Sequence, residues 1–105
     1  VSVPALRWLD PPAGPGIELL DQTRLPALET VVTCDDVPAL IDAIRRLVVR
    51  GAPLLGIAGA YGVALAAARD QDVAAAAEAI AQARPTAVNL GWGARRALAE
   101  YQRAA

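Results

Sequence analysis

Alternation of apolar and polar positions dominates the first third of the chain, and a helical period takes over afterwards. Ala5–Asp10 (ALRWLD), Ile17–Thr23 (IELLDQT) and Leu28–Cys34 (LETVVTC) read as short strands, punctuated by the turn cluster PPAGPG and by Pro26. Connections this brief suit an antiparallel meander, because parallel strands need long crossovers. From Asp35 onward, Val37, Leu40, Ile41, Ile44, Leu47 and Val48 recur at helical spacing and form one apolar stripe. Thr33-x-x-Asp36 matches a capping box, but that register puts Pro38 beyond the first turn. An N-cap at Asp35 or Asp36 leaves the proline where its missing N–H does no harm.

Gly51 is then expected to end the first helix as its C′ residue, and Pro53 to open the second at its first position. A third helix is expected over about Asp72–Ala83. Arg84-Pro85 breaks it, Thr86 is the candidate N-cap, and Ala87–Gln102 forms the fourth. The pattern predicts an α+β fold: a three-stranded antiparallel N-terminal sheet followed by a bundle of about four helices, in a single domain covering residues 1–105.

The second helix is the odd one. Val48–Ala68 (VVRGAPLLGIAGAYGVALAAA) places Pro53, Gly56, Gly59 and Gly62 within the most apolar segment of the chain. Each glycine costs a helix about 1 kcal/mol relative to alanine. The expected compensation is close packing against neighbouring helices. Gly51–Ala68 is also an uncharged run at the lower edge of the membrane-spanning range. Its Ala/Gly character and its Gly-Ala-Pro opening argue against a span.

Composition narrows the chemistry. With 105 residues, 55% of them apolar, the chain can bury one real core. A net charge of −1 offers nothing for a nucleic-acid polyanion or an acidic membrane surface. All ten basic residues are arginine, and histidine is absent. Schiff-base and lysine-base mechanisms are thereby excluded from these residues, as are the commonest general base and metal ligand. The lone Cys34 cannot form an internal disulfide and fits a reducing compartment. No secretory signal opens the chain, and its first residue is Val rather than Met.

Two corners could carry chemistry. In Arg50-Gly51-Ala52-Pro53 a glycine lets an anion approach the unpaired N–H groups of a helix start, and the arginine adds a bidentate donor fork. Those are the ingredients of a phosphate site. A tight helix–helix turn with a solvated arginine accounts for the same four residues. Arg84-Pro85-Thr86 repeats the arrangement, again with a surface arginine at a loop as the alternative. In an up-down bundle the second and fourth helices begin at the same end, so both corners could meet one anion. Cys34, beside two acidic residues with no histidine to activate it, reads as structural. Asp10, Asp21, Asp35 and Asp36 read as turn or capping residues, and Trp8 and Trp92 as core or interface anchors. No metal-ligand spacing and no P-loop occur.

The segments LLDQTRLP (Leu19–Pro26), IRRLVVRGAPLLGIAGAYGVALAA (Ile44–Ala67) and RPTAVNLGW (Arg84–Trp92) together resemble the N-terminal domain of 5-methylthioribose-1-phosphate isomerases. Ribose-1,5-bisphosphate isomerases and the regulatory subunits of a eukaryotic translation-initiation exchange factor share that superfamily. The resemblance implies a cytoplasmic aldose–ketose isomerase of methionine salvage, working without metal or organic cofactor and usually dimeric. It maps substrate binding onto Arg50, Gly51, Ala52 and Arg84. It assigns no catalytic residue to this chain, because the family's catalytic cysteine and aspartate belong to a C-terminal Rossmann-like domain expected to lie beyond it. Cys34 precedes the Arg-Gly-Ala segment and does not inherit that role. Leu54-Leu55 departs from the frequent Ala-Ile. GWGARR stands where many relatives carry a bulkier apolar residue after the leucine, and Gly91 and Gly93 are expected to soften the fourth helix.

Overall fold

The computed structural model describes residues 5–104. Strands β1 (Leu6–Leu9), β2 (Gly16–Leu20) and β3 (Val31–Cys34) form an antiparallel sheet in the order β1-β2-β3. Helices α1 (Val37–Arg45), α2 (Ala52–Ala68), α3 (Val73–Ala83) and α4 (Val88–Ala104) follow. The α+β expectation holds in class, in order and in strand orientation.

Register explains which sheet face is buried. Leu6 pairs with Leu19 and Leu19 with Val32, while Trp8 pairs with Ile17 and Ile17 with Cys34. Side chains two apart share a face, so these six residues form one apolar surface centred on the fully buried Ile17 and Leu19. Arg7 and Glu18 are directly opposed on the other face and form an ion pair at 3.1 Å. The expected second strand stops earlier than Thr23. The Asp21 carboxylate accepts from the Thr23 amide at 2.9 Å and turns the chain into a 3-10 helix, Gln22–Arg24.

Aspartates start two of the four helices. Asp36 caps α1 by accepting from Ala39 N at 2.9 Å, with Pro38 tolerated in the first turn. Asp72 caps α3 through Ala75 N at 3.0 Å. Thr86 does not cap α4. It lies in the turn, and Ala87 is the residue that precedes the helix, its carbonyl accepting from Leu90 N at 3.0 Å.

The end of α1 departs from expectation. The helix stops at Arg45, and the left-handed residue after its cap is Leu47, with φ 65°, not Gly51. Leu47 N donates to Ile44 O at 3.2 Å and Val48 N to Ala43 O at 3.0 Å, the paired bonds of a Schellman motif. A left-handed non-glycine residue costs roughly 1–2 kcal/mol. Leaving the helix here turns Val48 and Val49 inward, where they are fully buried. Gly51 is instead the N-cap of α2, and Pro53 occupies its second position.

Helix α2 is the centre of the molecule, touching α1, α3, α4, β1 and β2. Its glycines make that placement possible. A Cβ at Gly59 would lie 2.5 Å from the Leu90 carbonyl oxygen of α4, and one at Gly93 of α4 would overlap the Gly56 carbonyl oxygen. Gly93 therefore brings two backbones together rather than loosening α4. Among the described residues, no helix is long and apolar enough to cross a membrane.

Candidate functional site

Arg50, Gly51, Ala52 and Arg84 all line one cleft of about 470 Å³. Leu47 and Leu55 supply its apolar side, and Thr86, Ala87, Val88 and Asn89 its α4 side. The starts of α2 and α4 therefore meet at one end of the bundle, as the up-down order predicts. Among the described residues, none that lines the cleft is acidic.

Local geometry prepares the α2 wall. Gly51 sits at φ 96° and ψ 133°, a conformation that side chains disfavour, and no side chain caps the helix it opens. Gly51 O accepts from Leu55 N at 2.9 Å, so the helix ladder begins immediately. Pro53 has no N–H, which leaves the amides of Gly51, Ala52 and Leu54 as the unpaired donors at the helix start, the first two beside the cleft. Arg50, immediately before this turn, is exposed, whereas Arg84, the C-cap of α3, is partly buried. Among the described residues neither arginine forms an ion pair. Two guanidinium groups without an ion-pair partner among the described residues thus border the cleft beside two helix N-termini, a combination whose chemistry suits an oxyanion.

Asn89 is the polar lining residue that sequence patterning did not single out. Its position in the first turn of α4, after the Arg84-Pro85-Thr86 corner, is the signal that could have found it. Its amide can donate to an anion or orient a hydroxyl.

The remaining candidates take structural places. Cys34 is fully buried beneath the sheet; burial, reinforced by Asp35 and Asp36, pushes its thiol up to about 11. It is thus neither ionised near neutrality nor accessible. The Thr23 hydroxyl and amide hold the Asp21 carboxyl below its usual range. Trp8 packs edge-on against Tyr61, with ring centroids 6.2 Å apart, and its indole N–H donates to Asp10 at 3.2 Å. Trp92 lies on the surface of α4, with the Arg96 guanidinium 5.6 Å from its ring centre.

The sequence model of the Initiation factor 2 subunit family matches residues 48–105. The methylthioribose-1-phosphate isomerase of Heliobacterium modesticaldum is 45% identical over 100 residues, which cover 87% of this chain and 28% of that protein. Among solved structures, 5-methylthioribose 1-phosphate isomerase from Pyrococcus horikoshii aligns with a TM-score of 0.80 at 28% identity, over 90% of this chain and 28% of that one. The A. fulgidus translation initiation factor eIF-2B subunit delta aligns with a TM-score of 0.73 at 45% identity, over 92% and 30%. The chain spans about a quarter of the length of the curated relatives it matches. The matched residues take in every part of the arginine cleft except Leu47, and by that match the chain belongs to the Initiation factor 2 subunit family.

Proposed function

We propose that this chain is the substrate-binding N-terminal part of an aldose–ketose isomerase that converts 5-methylthioribose 1-phosphate to 5-methylthioribulose 1-phosphate. The observation that carries the reading is the convergence of Arg50, Arg84 and the first turns of α2 and α4 on one cleft free of acidic groups. In this reading the two guanidinium groups and the backbone at Gly51 and Ala52 hold the phosphate. Anchoring the phosphate fixes C1 and C2 of the sugar relative to whatever group moves hydrogen between them.

The cleft does not supply that group. Among the described residues its lining holds no carboxylate, thiol or imidazole, and Cys34 is buried elsewhere. General acid–base groups must approach within hydrogen-bond reach of the reacting carbons. They are therefore assigned to the remaining length of an isomerase-sized protein, which acts in the cytoplasm as a homodimer. The chain alone is expected to show no turnover; turnover by these residues alone would overturn the division of labour.

A second reading, a regulatory module without catalysis, is favoured by the 45% identity to the protein called initiation factor eIF-2B subunit delta. Assaying the intact protein separates the readings. Turnover of 5-methylthioribose 1-phosphate supports the proposal, and turnover of ribose 1,5-bisphosphate alone would reassign the substrate. If neither sugar is turned over and neither shifts the melting temperature, the regulatory reading stands.

A further inference from the structure

The segment Leu19–Pro26 contributes no residue to the arginine cleft. It holds instead, at the end of β2, the one charged side chain that is buried among the described residues, Asp21, 7% exposed. A carboxylate taken out of water is costly unless hydrogen bonds replace its hydration. Thr23 supplies two, since its amide, at 2.9 Å, and its hydroxyl both donate to one Asp21 carboxylate oxygen. The positive charges of Arg24 and Arg46 favour the ionised form. The Asp21 amide donates to Thr30 O at 2.8 Å, so main chain and side chain are both tied. These bonds set the 3-10 turn Gln22–Arg24 firmly against the edge of the sheet.

The turn aims one amide away from itself. Gln22 N donates to Val48 O at 3.0 Å, in the connector between α1 and α2. Val48 N donates to Ala43 O at 3.0 Å, and the Val48 and Val49 side chains are fully buried. Past Val48 the chain is sparsely held. Among the described residues no hydrogen bond fixes the main chain of Val49 or Arg50, and the next one runs from Leu55 N to Gly51 O. The Gln22–Val48 bond is therefore the last main-chain hydrogen bond before Arg50. A guanidinium fork grips an oxyanion well only when it is held at the right distance and angle. We propose that Asp21 is a positioning residue for the cleft: by fixing the Gln22–Arg24 turn it makes the Gln22 amide hold Val48, and so sets where Arg50 enters the site. This rests on the reading of the cleft as a sugar-phosphate site and extends that site to a residue outside its lining.

Variants of the intact protein test it. Gln22→Pro removes the donor and crowds Val48 O, whereas Gln22→Ala keeps the donor. Proline suits the first position of a 3-10 turn after an extended residue, and Asp21 is extended at φ −75° and ψ 102°. Asp21→Ala releases the turn, and Asp21→Asn retains an acceptor for Thr23. Ile80→Val, in the core of α3, weakens the fold away from the connector and serves as reference. NMR order parameters of the isotope-labelled Gly51 and Ala52 amides should fall from about 0.85 to below about 0.6 in Gln22→Pro and Asp21→Ala. They should hold in Gln22→Ala, Asp21→Asn and Ile80→Val. In the same two sensitive variants KM for 5-methylthioribose 1-phosphate should rise about three- to tenfold, less than in Arg50→Ala, because the charge is displaced rather than removed. Adding Asp21→Ala to Arg50→Ala should raise KM by less than about twofold more, since an effect exerted through Arg50 disappears with it. Thr23→Val, which removes the hydroxyl alone, should show the same changes at smaller size and stands in for a variant that fails to fold. Unchanged order parameters in Gln22→Pro, an equal fall in Ile80→Val, or KM effects that add in full to Arg50→Ala would each overturn the proposal. The order parameters need no substrate, so they decide the positioning role even if the intact protein turns over neither sugar phosphate. Normal turnover with unchanged order parameters would refute that role and leave the sugar-phosphate reading standing.

Discussion

Gly93 of α4 lies against the carbonyl oxygen of Gly56 in α2 so closely that a Cβ on Gly93 would overlap it. The obstacle is backbone, so no side-chain rotation relieves it. Gly93→Ala should destabilise the fold by about 3 kcal/mol, the upper end of the overpacking range. Gly56→Ala should cost less, because its Cβ would sit 3.3 Å from the Asn89 carbonyl oxygen, which calls only for a small shift. Urea denaturation of the two variants checks the ranking. Equal stabilities would mean that α2 and α4 are not in backbone contact.

Gly51 and Leu47 both hold left-handed backbone and predict different outcomes. A Cβ at Gly51 meets nothing within 4 Å, yet its φ of 96° disfavours any side chain. Gly51→Ala should therefore cost about 1–3 kcal/mol without any clash. Leu47 holds a left-handed φ of 65° at a position where glycine is preferred, and its side chain is 40% exposed. Leu47→Gly should change stability by less than about 1 kcal/mol, because relief of the left-handed backbone offsets the burial lost by a side chain that is more than half covered. Thermal unfolding of both variants checks that Gly51→Ala is the more costly change.

On the proposed reading, Arg50→Ala and Arg84→Ala, made in the intact protein, should each raise KM by about tenfold or more. That is the loss expected for a charge-assisted bond worth about 1.5–3 kcal/mol. The double variant should lose less than the sum of the two if both arginines hold one phosphate. Steady-state kinetics with 5-methylthioribose 1-phosphate provides the measurement. An unchanged KM for either variant would remove that arginine from the site.

Stability should decline toward both extremes of pH, for different residues. The Asp21 carboxyl is held below its ordinary value of 3.8 by the Thr23 side chain and amide, so the unfolded chain takes up its proton first as pH falls. Its contribution is present above about pH 4 and is lost on acidification; Asp21→Asn should flatten that limb of the stability curve. The Cys34 thiol is raised from 9.0 to about 11 by burial. The unfolded chain therefore ionises first, and stability falls between those two values as pH rises. Cys34→Ala should remove that part of the alkaline loss. Denaturant midpoints across about pH 3–11 test both.

Much of this molecule is written in short-range chemistry. The aspartate caps at Asp36 and Asp72, the inward alternation of Ile17 and Leu19, and the two arginine corners before α2 and α4 each depend on residues within a turn or two. Their physics does not wait for the rest of the fold, and so a linear reading finds them. The sequence by itself determined the α+β order and the two arginine corners that come to line one cleft.

Only the tertiary structure decided where α1 ends, why the glycines are there and what α4 leaves exposed. Gly51 is the better local stop, yet the chain leaves the helix at Leu47 because burying Val48 and Val49 outweighs a left-handed leucine. Gly59 and Gly93 look like helix defects until α2 and α4 are laid against each other. Trp92 has the composition of a core residue and is found on the surface beside the arginine cleft. In each case the deciding energy comes from a contact between distant segments, which local propensity cannot register.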